Sequence, residues 1–514
     1  MISKAKKKIN LDDLYYHTSP FKAILKLSIP VMITQFILGI FTFINLLFMS
    51  LVIKGAPNAN VISIFVPLYT VLMSSIWMFT SGSTARMSFY LGKGQYEQVK
   101  KIFNCVTINV LGLNSLFIII GLACAYPIFL LLASGATNIA NYAWDFFWPT
   151  ALSMPFLAIG YLWGISFRNM GNQKVYVTLN VIMLVSNVLA QIIMWKTLNT
   201  DSKDLQYTMI GICNLISAIV ICAAAYVCYL LNKRWNPDTP LSLEKKYMFN
   251  NWSITKEIMK IGSPAIVLNF GVTMIGFLTN LVFHFVPIHP DQYIWKSGTV
   301  DSNLKVHYWQ LLFGAGYPIW TMLINPINGI IISGRVVAIY NYGKADFTRV
   351  KQSFRATVLI LAVYMVLVEV ILISASQYIA RDLYNIRNNM QINFNGNDYI
   401  LPKANDNSHA VMMIIGMLYW LNAFTVSLSI LWQARNKPIQ ANLCVLNRNV
   451  LVELSLVLVF GELAKVTNNY WIFWASYPIM DVIGVCVGYF LYHYGMKSIK
   501  SELNLVNLRK KIKI

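Results

Sequence analysis

The stretch LSIPVMITQFILGIFTFINLLFMSLVI, residues 27–53, contains no charged side chain and is bounded by Lys26 and Lys54. A helix needs about 20 apolar residues to cross the ~30 Å hydrocarbon core of a bilayer. Only helices and closed barrels satisfy their backbone groups in lipid, and this long run lacks the alternation of a barrel strand. It therefore predicts a transmembrane helix.

Eleven further stretches have the same character, so the sequence predicts an all-α polytopic membrane protein with twelve transmembrane helices. The composition agrees, because 57% of the residues are hydrophobic and only 12% are charged, whereas soluble proteins average about 25% charged residues. A soluble enzyme and a disordered chain are both excluded. The eleven stretches are 60–84, 103–132, 146–167, 175–195, 207–231, 261–286, 308–334, 356–379, 410–433, 439–461 and 470–494.

The basic residues are distributed unevenly between the two sides of the predicted membrane domain. The seven segments on the side of the N-terminus contain 31 Lys and Arg, and the six loops on the other side contain 9. Basic residues concentrate on the cytoplasmic side of membrane proteins. We therefore expect a plasma-membrane protein with both termini in the cytoplasm. The formal net charge of +21 then reflects the orientation of the protein in the lipid bilayer. No nucleic-acid partner is expected.

The chain repeats itself with the same orientation in the membrane. The stretch LGKGQYEQVKKIF (91–103) recurs as YGKADFTRVKQSF (342–354), and each copy follows the second helix of its half. Halves with an even number of helices insert in parallel, which predicts two six-helix lobes related by a pseudo-twofold axis. The predicted divisions are an N-terminal cytoplasmic segment (1–26), a first lobe (27–231), a linker (232–257), a second lobe (258–496) and a basic tail (497–514).

Chemistry-bearing motifs are missing from the sequence. It contains no phosphate-binding loop, no hydrolase or metalloprotease motif and no metal-ligand spacing, and its cysteines lie in apolar stretches. We therefore predict no catalytic residues, no metal and no cofactor. The expected partners are a small-molecule substrate and lipid, without an obligate protein partner.

Five segments carry a family resemblance. Taken in chain order, they resemble segments of multidrug and toxin extrusion (MATE) transporters, whose superfamily also contains lipid-linked oligosaccharide flippases. The resemblance implies export of organic, often cationic or drug-like compounds, driven by a Na⁺ or H⁺ gradient. The segments are LSIPVMITQ (27–35), FRNMGNQK (167–174), IGSPAIVLN (261–269), IYNYGKADFTRVKQSFR (339–355) and WASYPIMDVIG (474–484).

The sequence departs from this family at its familiar coupling positions. Members often carry an aspartate in the first helix at the position that matches Asn45, and others carry acids in the seventh and tenth helices. The stretches 261–283 and 410–434 contain no acid. The coupling ion of the family therefore cannot be transferred to this chain through those residues.

Four ionisable residues lie within the predicted spans: Glu369, Arg448, Glu453 and Asp481. Each costs about 2.5–3.5 kcal/mol on insertion scales, so each needs a reason to be there. One hypothesis is a proton- or cation-coupling cluster in the second lobe. The alternative is a structural ion-pair network in which Arg448 neutralises one of the acids.

Polar stripes on the first helix of each lobe form a second candidate site. Gln35, Thr42 and Asn45 share one face of the first helix, as do Asn269, Thr273 and Asn280 on the seventh. Such a stripe faces protein or water. It predicts either a substrate and ion pathway between the lobes or ordinary interhelical hydrogen bonding.

These patterns together predict a non-enzymatic secondary transporter of the MATE type. It would export small organic, cationic or drug-like compounds by alternating access with H⁺ or Na⁺ antiport. One alternative is a lipid or oligosaccharide flippase of the same superfamily. A second, from a different class, is a membrane-embedded transferase, which would require paired catalytic groups at one membrane face.

Overall fold

The fold was obtained as a computed structural model of the 514-residue chain. It describes residues 17–512, with breaks in the connections and in most of 286–321. The residues within these limits that lie outside the description are 54–57, 93–94, 134–135, 171, 198–201, 236–238, 249–251, 286–293, 296–308, 310–311, 313–321, 344–345, 384–385, 395–396, 402, 435–436, 468 and 470.

The first lobe is built from long apolar helices with short connections. Each helix extends past the predicted apolar run at one or both ends, because the polar residues that flank a span continue the same helix. The helices are α1 (Pro20–Val52), α2 (Asn58–Gly92), α3 (Tyr96–Leu132), α4 (Thr137–Leu152), α5 (Met154–Asn169), α6 (Gln173–Thr197) and α7 (Lys203–Trp235).

The second lobe follows a linker that contains the single-turn helix α8 (Lys245–Met248). Its spans are less regular than those of the first lobe, since two of them are assembled from shorter helices. The elements are α9 (Trp252–Phe285), β1 (Ile294–Trp295), α10 (Ile327–Gly343), α11 (Phe347–Tyr378), β2 (Met390–Phe394), β3 (Asn397–Leu401), α12 (Ala404–Gly416), α13 (Asn422–Ala434), α14 (Pro438–Leu446), α15 (Glu453–Thr467) and α16 (Trp471–Ile512).

The predicted helical membrane fold is confirmed. Within the described residues, eight apolar stretches are long enough to cross a bilayer, and α4 with α5 forms a ninth span bent by 47°. Two of the remaining predicted spans correspond to α9 and to the α14–α15 pair. The third, 308–334, lies partly outside the described residues and overlaps α10 only over residues 327–334. The bend falls at Ser153, immediately before the Met154–Pro155 start of α5, because proline cannot donate the backbone hydrogen bond that would continue α4.

Three departures from regular transmembrane helices were not predicted from sequence. A small antiparallel sheet with strand order β1-β3-β2 joins two loops of the second lobe, with Ile294 opposite Ile400. A π-helical turn at Asn447–Val452 interrupts the eleventh span just before Glu453. The last helix, α16, continues without a break to Ile512, through the stretch predicted as a separate basic tail.

The two lobes meet at two helix crossings, and the pseudo-twofold axis relates one crossing to the other. In one, α2 of the first lobe packs on α9, the first helix of the second lobe. In the other, α1 packs on α10. Glycines allow both approaches. A side chain on Gly82, Gly262 or Gly329 would collide with the backbone of the facing helix, and one on Gly39 would collide with the backbone at Met322, just before α10. We call the membrane face that carries the linker the linker side. Gly82 and Gly262 lie about three turns from the linker-side ends of α2 and α9.

Candidate functional site

A chain of hydrogen-bonded amides fills the interior of the first lobe. The side-chain amide of Gln191 donates to Asn45 at 2.6 Å and to Asn187 at 2.9 Å. Asn187 donates to Asn214 at 3.0 Å, and Asn214 donates to the Thr150 hydroxyl at 3.1 Å. All five residues are buried. The chain therefore joins α1, α6, α7 and the end of α4 just before the bend.

This amide chain holds no group that changes its charge near neutral pH. The Oε1 atom of Gln191 is buried and has no hydrogen-bond partner among the described residues. Asn45 and Asn214 also line a cavity of about 10 Å³, together with three phenylalanines and two other apolar or aromatic residues. Such a volume has room for about one water molecule. The first lobe thus offers a small neutral polar site at the position where the family often carries an acid.

The polar stripe predicted on the first helix is only partly described. Gln35 and Asn45 are both buried, and Asn45 contributes its side chain to the amide chain inside the first lobe. The Thr42 side chain lies outside the described residues. Sequence reasoning missed Asn187 and Gln191, although their spacing of four on one helix places both on a single face.

The corresponding stripe on the seventh helix lies on α9. The side chains of Asn269, Thr273 and Asn280 are outside the described residues, so their predicted role in the pathway stays a prediction. The neighbouring Thr279 is buried and shares a hydrogen bond with the Tyr477 hydroxyl of α16. This contact attaches α9 to the last helix of its own lobe.

The predicted acids of the second lobe lie on three different helices. Glu453 and Asp481 are 0% and 1% exposed, and Glu369 on α11 is partly buried. The carboxyl groups of Glu369 and Asp481 are close enough to interact electrostatically, and Glu453 begins α15, which packs along α16. The side chain of Arg448, in the π-helical turn, lies outside the described residues. The structure thus places Glu369 within electrostatic range of Asp481.

The linker side of the lobe interface is held by polar contacts. Arg86 of α2 forms an ion pair with Glu257 of α9. The linker is attached to α3, because Lys100 donates to Glu244 at 2.7 Å and Asn104 accepts from the Glu244 backbone N–H at 2.7 Å. The hydrogen bond from Lys100 lowers the pKa of Glu244 below its ordinary value of 4.5.

Arg335 is a further charged residue that sequence reasoning missed as a site. The eighth span was drawn to end at residue 334, which placed Arg335 in the following connection. Helix α10 instead continues to Gly343, so Arg335 lies inside it. Its Nε atom is buried and has no hydrogen-bond partner among the described residues.

The sequence is similar to known multidrug export proteins. The MatE family model matches residues 30–193. The Multidrug export protein MepA of Staphylococcus aureus (strain bovine RF122 / ET3-1) is 24% identical over 271 residues, which are 52% of this chain and 57% of that protein. MepA of Staphylococcus saprophyticus is 23% identical, over 52% of this chain and 58% of that protein. The matched region thus spans slightly more than half the length of these relatives.

Solved structures share the fold over almost the whole chain. A MOP superfamily transporter from Pyrococcus furiosus, described as having a binding pocket of reverse polarity, aligns with a TM-score of 0.73 and 15% identity. The alignment covers 96% of this chain and 99% of that one. The outward-facing conformation of a multidrug resistance MATE family transporter gives 0.70 and 14% identity, covering 95% and 98%. At these identities the likeness establishes the fold.

Proposed function

We propose that this chain is a secondary active transporter. Its resemblance to the multidrug and toxin extrusion family is confirmed by the matching family model, the MepA relatives and the shared fold. It exports small organic, drug-like compounds across the cell membrane by alternating access. The multidrug export relatives support the substrate class, and the family resemblance supports cationic compounds among them.

The observation that carries this proposal is the pair of equivalent crossings between the lobes. The crossings α2–α9 and α1–α10 depend on glycines, whose lack of a side chain lets the helices approach closely. The α2–α9 crossing is also held by the Arg86–Glu257 ion pair at the linker side. Two lobes that meet in this way can rock against each other about a site between them. The 31-to-9 distribution of basic residues supports a cytoplasmic linker side, and in that orientation the described conformation would be closed toward the cytoplasm.

The energy source we propose is a H⁺ or Na⁺ gradient that acts through the second lobe. Glu369 and Asp481 repel each other when both are ionised, and a proton or Na⁺ bound at either acid relieves the repulsion. Glu453 is buried on a helix next to α16 and belongs to the same proposed site. The amide chain around Asn45 offers no equivalent charge in the first lobe. The competing role for these acids is structural pairing with Arg448.

Purified protein in lipid vesicles tests the proposal. A fluorescent organic cation is offered under a pH gradient, a Na⁺ gradient or neither, and accumulation is followed by fluorescence. We expect one of the two gradients to drive accumulation. We expect Gly262→Val to abolish it, because a side chain there collides with the Met78 backbone. Gly112→Ala is the matched control, since the space beside Gly112 is open.

Three results would contradict the proposal or part of it. Dye that stays outside under both gradients, in vesicles where the protein is folded, removes the transporter assignment. Lipid-linked sugar that crosses the membrane under those conditions would instead establish the flippase alternative. Normal accumulation by Gly262→Val would show that the α2–α9 contact does not belong to the transport cycle.

A further inference from the structure

Arg335 is a charged side chain inside a membrane helix without a partner in the described part of the chain. Its Nε is sealed from solvent and makes no hydrogen bond there. Burying a guanidinium without an anionic partner is costly. Charged residues within membrane helices usually face the interior of the bundle or a water-filled cavity and mark substrate or ion pathways. The question is then which side of α10 the residue occupies.

The position of Arg335 around α10 follows from two glycines on the same helix. Gly329 packs on α1, and Gly334 packs on Thr357 of α11. At 100° per residue, Arg335 lies about 120° from the α1 face and about 100° from the α11 face. It therefore occupies a third side of the helix.

This third side is polar and incompletely packed. Asn328 and Ile332 share it with Arg335 at helical spacing, and all three are partly buried. Ile331, one turn before Arg335 and about 40° from it around the helix, packs in a cluster with Ala423 and Ile430 of α13, so the stripe borders α13. A stripe with an amide and a guanidinium does not face lipid tails. Because α10 is an interface helix, we assign this side to the pathway between the lobes.

The charge of the interface helices has the same sign as Arg335. Helices α1, α2, α9 and α10 together carry six basic residues and a single acid, Glu257, which Arg86 already neutralises. These four helices therefore supply no further acid that could pair with Arg335. A guanidinium binds carboxylate and phosphate oxygens with two parallel hydrogen bonds. The basic residues are Lys22, Lys26, Arg86, Lys256, Lys260 and Arg335.

We propose that Arg335 binds a carboxylate or phosphate group of the transported compound. The substrates then include zwitterions, in which an organic cation carries an acidic group, in addition to simple cations. This inference rests on the proposed transport function and adds a specificity-determining residue to it. The same anionic chemistry could be supplied by a lipid headgroup, and the experiment below separates the two sources.

The test uses two forms of one xanthene dye in vesicles under the driving gradient. The ethyl ester is a cation, and the free carboxylate differs from it by one negative charge. We expect Arg335→Gln to lower accumulation of the carboxylate form about tenfold, the loss for removing one charged hydrogen-bonding group, and to leave the ester form unchanged. Arg355→Gln is the matched control, because it removes the same charge from an exposed position on α11.

Arg335→Lys keeps the charge and removes the two-pronged geometry. It should lower accumulation of the carboxylate dye by a smaller factor, and it carries the test if Arg335→Gln fails to reach the membrane. Equal losses for both dyes would assign Arg335 a structural role, and no loss for either would place it outside the pathway. Both results overturn the inference.

Vesicles with and without anionic lipid distinguish substrate from headgroup. If the loss in Arg335→Gln follows the lipid composition rather than the dye, the guanidinium binds lipid phosphate and the inference is wrong. If the wild-type protein moves neither dye, the proposed transport function fails together with it. Transport of the ester alone, whatever residue stands at position 335, refutes only the anion site.

Discussion

The two lobes share one architecture but have different polar interiors. In the first lobe, Asn45, Asn187, Gln191 and Asn214 form a neutral amide chain that satisfies most of its own hydrogen bonds. In the second lobe, acids lie on three helices, with Glu369 and Asp481 within electrostatic range of each other. Duplication of a fold therefore does not duplicate its chemistry. The neutral lobe is held by hydrogen bonds between amides, and the acidic lobe carries the groups that we propose bind and release a cation.

The largest effect should come from neutralising the second lobe. We expect Glu369→Gln combined with Asp481→Asn to lower gradient-driven accumulation about 100-fold, the scale for removing a positioned proton-transfer group. Exchange of dye without a gradient should persist. Glu462→Gln is the matched control, because that side chain is 67% exposed on α15. Unchanged coupling in the double variant would show that the coupling site does not include these acids.

A smaller effect should follow from giving the first lobe an acid. Asn45→Asp keeps an oxygen that accepts from Gln191 and adds a group that can bind a proton. Placed in the Glu369→Gln, Asp481→Asn background, it should restore part of the pH-driven accumulation. The measurement is dye accumulation under a pH gradient with and without the third change. An absence of any recovery would mean that the first lobe cannot couple, whatever its charge.

Breaking the amide chain of the first lobe should lower the stability of the protein without changing its coupling. Gln191→Leu leaves the side-chain oxygens of Asn45 and Asn187 without their described donor. Each buried acceptor without a donor costs about 1–3 kcal/mol, so we expect a clear fall in the thermal unfolding temperature in detergent. The ratio of accumulation with and without a gradient should stay the same. A changed ratio at unchanged stability would assign the amide chain to coupling.

The smallest effect concerns the linker, which is attached to the first lobe through Lys100 and Glu244. Because this contact lowers the pKa of Glu244, it stabilises the fold above pH 4.5 and is lost as the pH falls through the lowered value. Glu244→Gln should therefore lower the unfolding temperature slightly at neutral pH. The difference from wild type should disappear in acid. A difference that persists in acid would show that the contact does not depend on the charge of Glu244.

The spans and lobes could be predicted from sequence because long charge-free runs and a repeated segment are local signals. The bend at Ser153 and the π-helical turn at Asn447–Val452 could not, because hydropathy does not register a shift in the backbone hydrogen-bonding pattern. The pairing of Ile294 with Ile400 joins residues more than a hundred positions apart, and two residues of β1 carry no strand signal of their own.

The candidate site was predictable where it is charged and hidden where it is neutral. Glu369, Glu453 and Asp481 interrupt apolar runs and are found at once. Asn187 and Gln191 are uncharged, so the run continues through them, and the hydrogen bond from Gln191 to Asn45 depends on how α1 and α6 pack. Arg335 was missed for the opposite reason. A span drawn to end at its first charge always leaves that charge outside the membrane helix.

The unbroken last helix has a practical consequence. At 42 residues, α16 is about 63 Å long, roughly twice the thickness of the ~30 Å hydrocarbon core. About half of it must therefore project beyond the bilayer on the linker side as a continuous rod. A rigid protein fused in helical register to its end would turn with the second lobe, and so would provide a visible marker of lobe rotation for single-particle imaging.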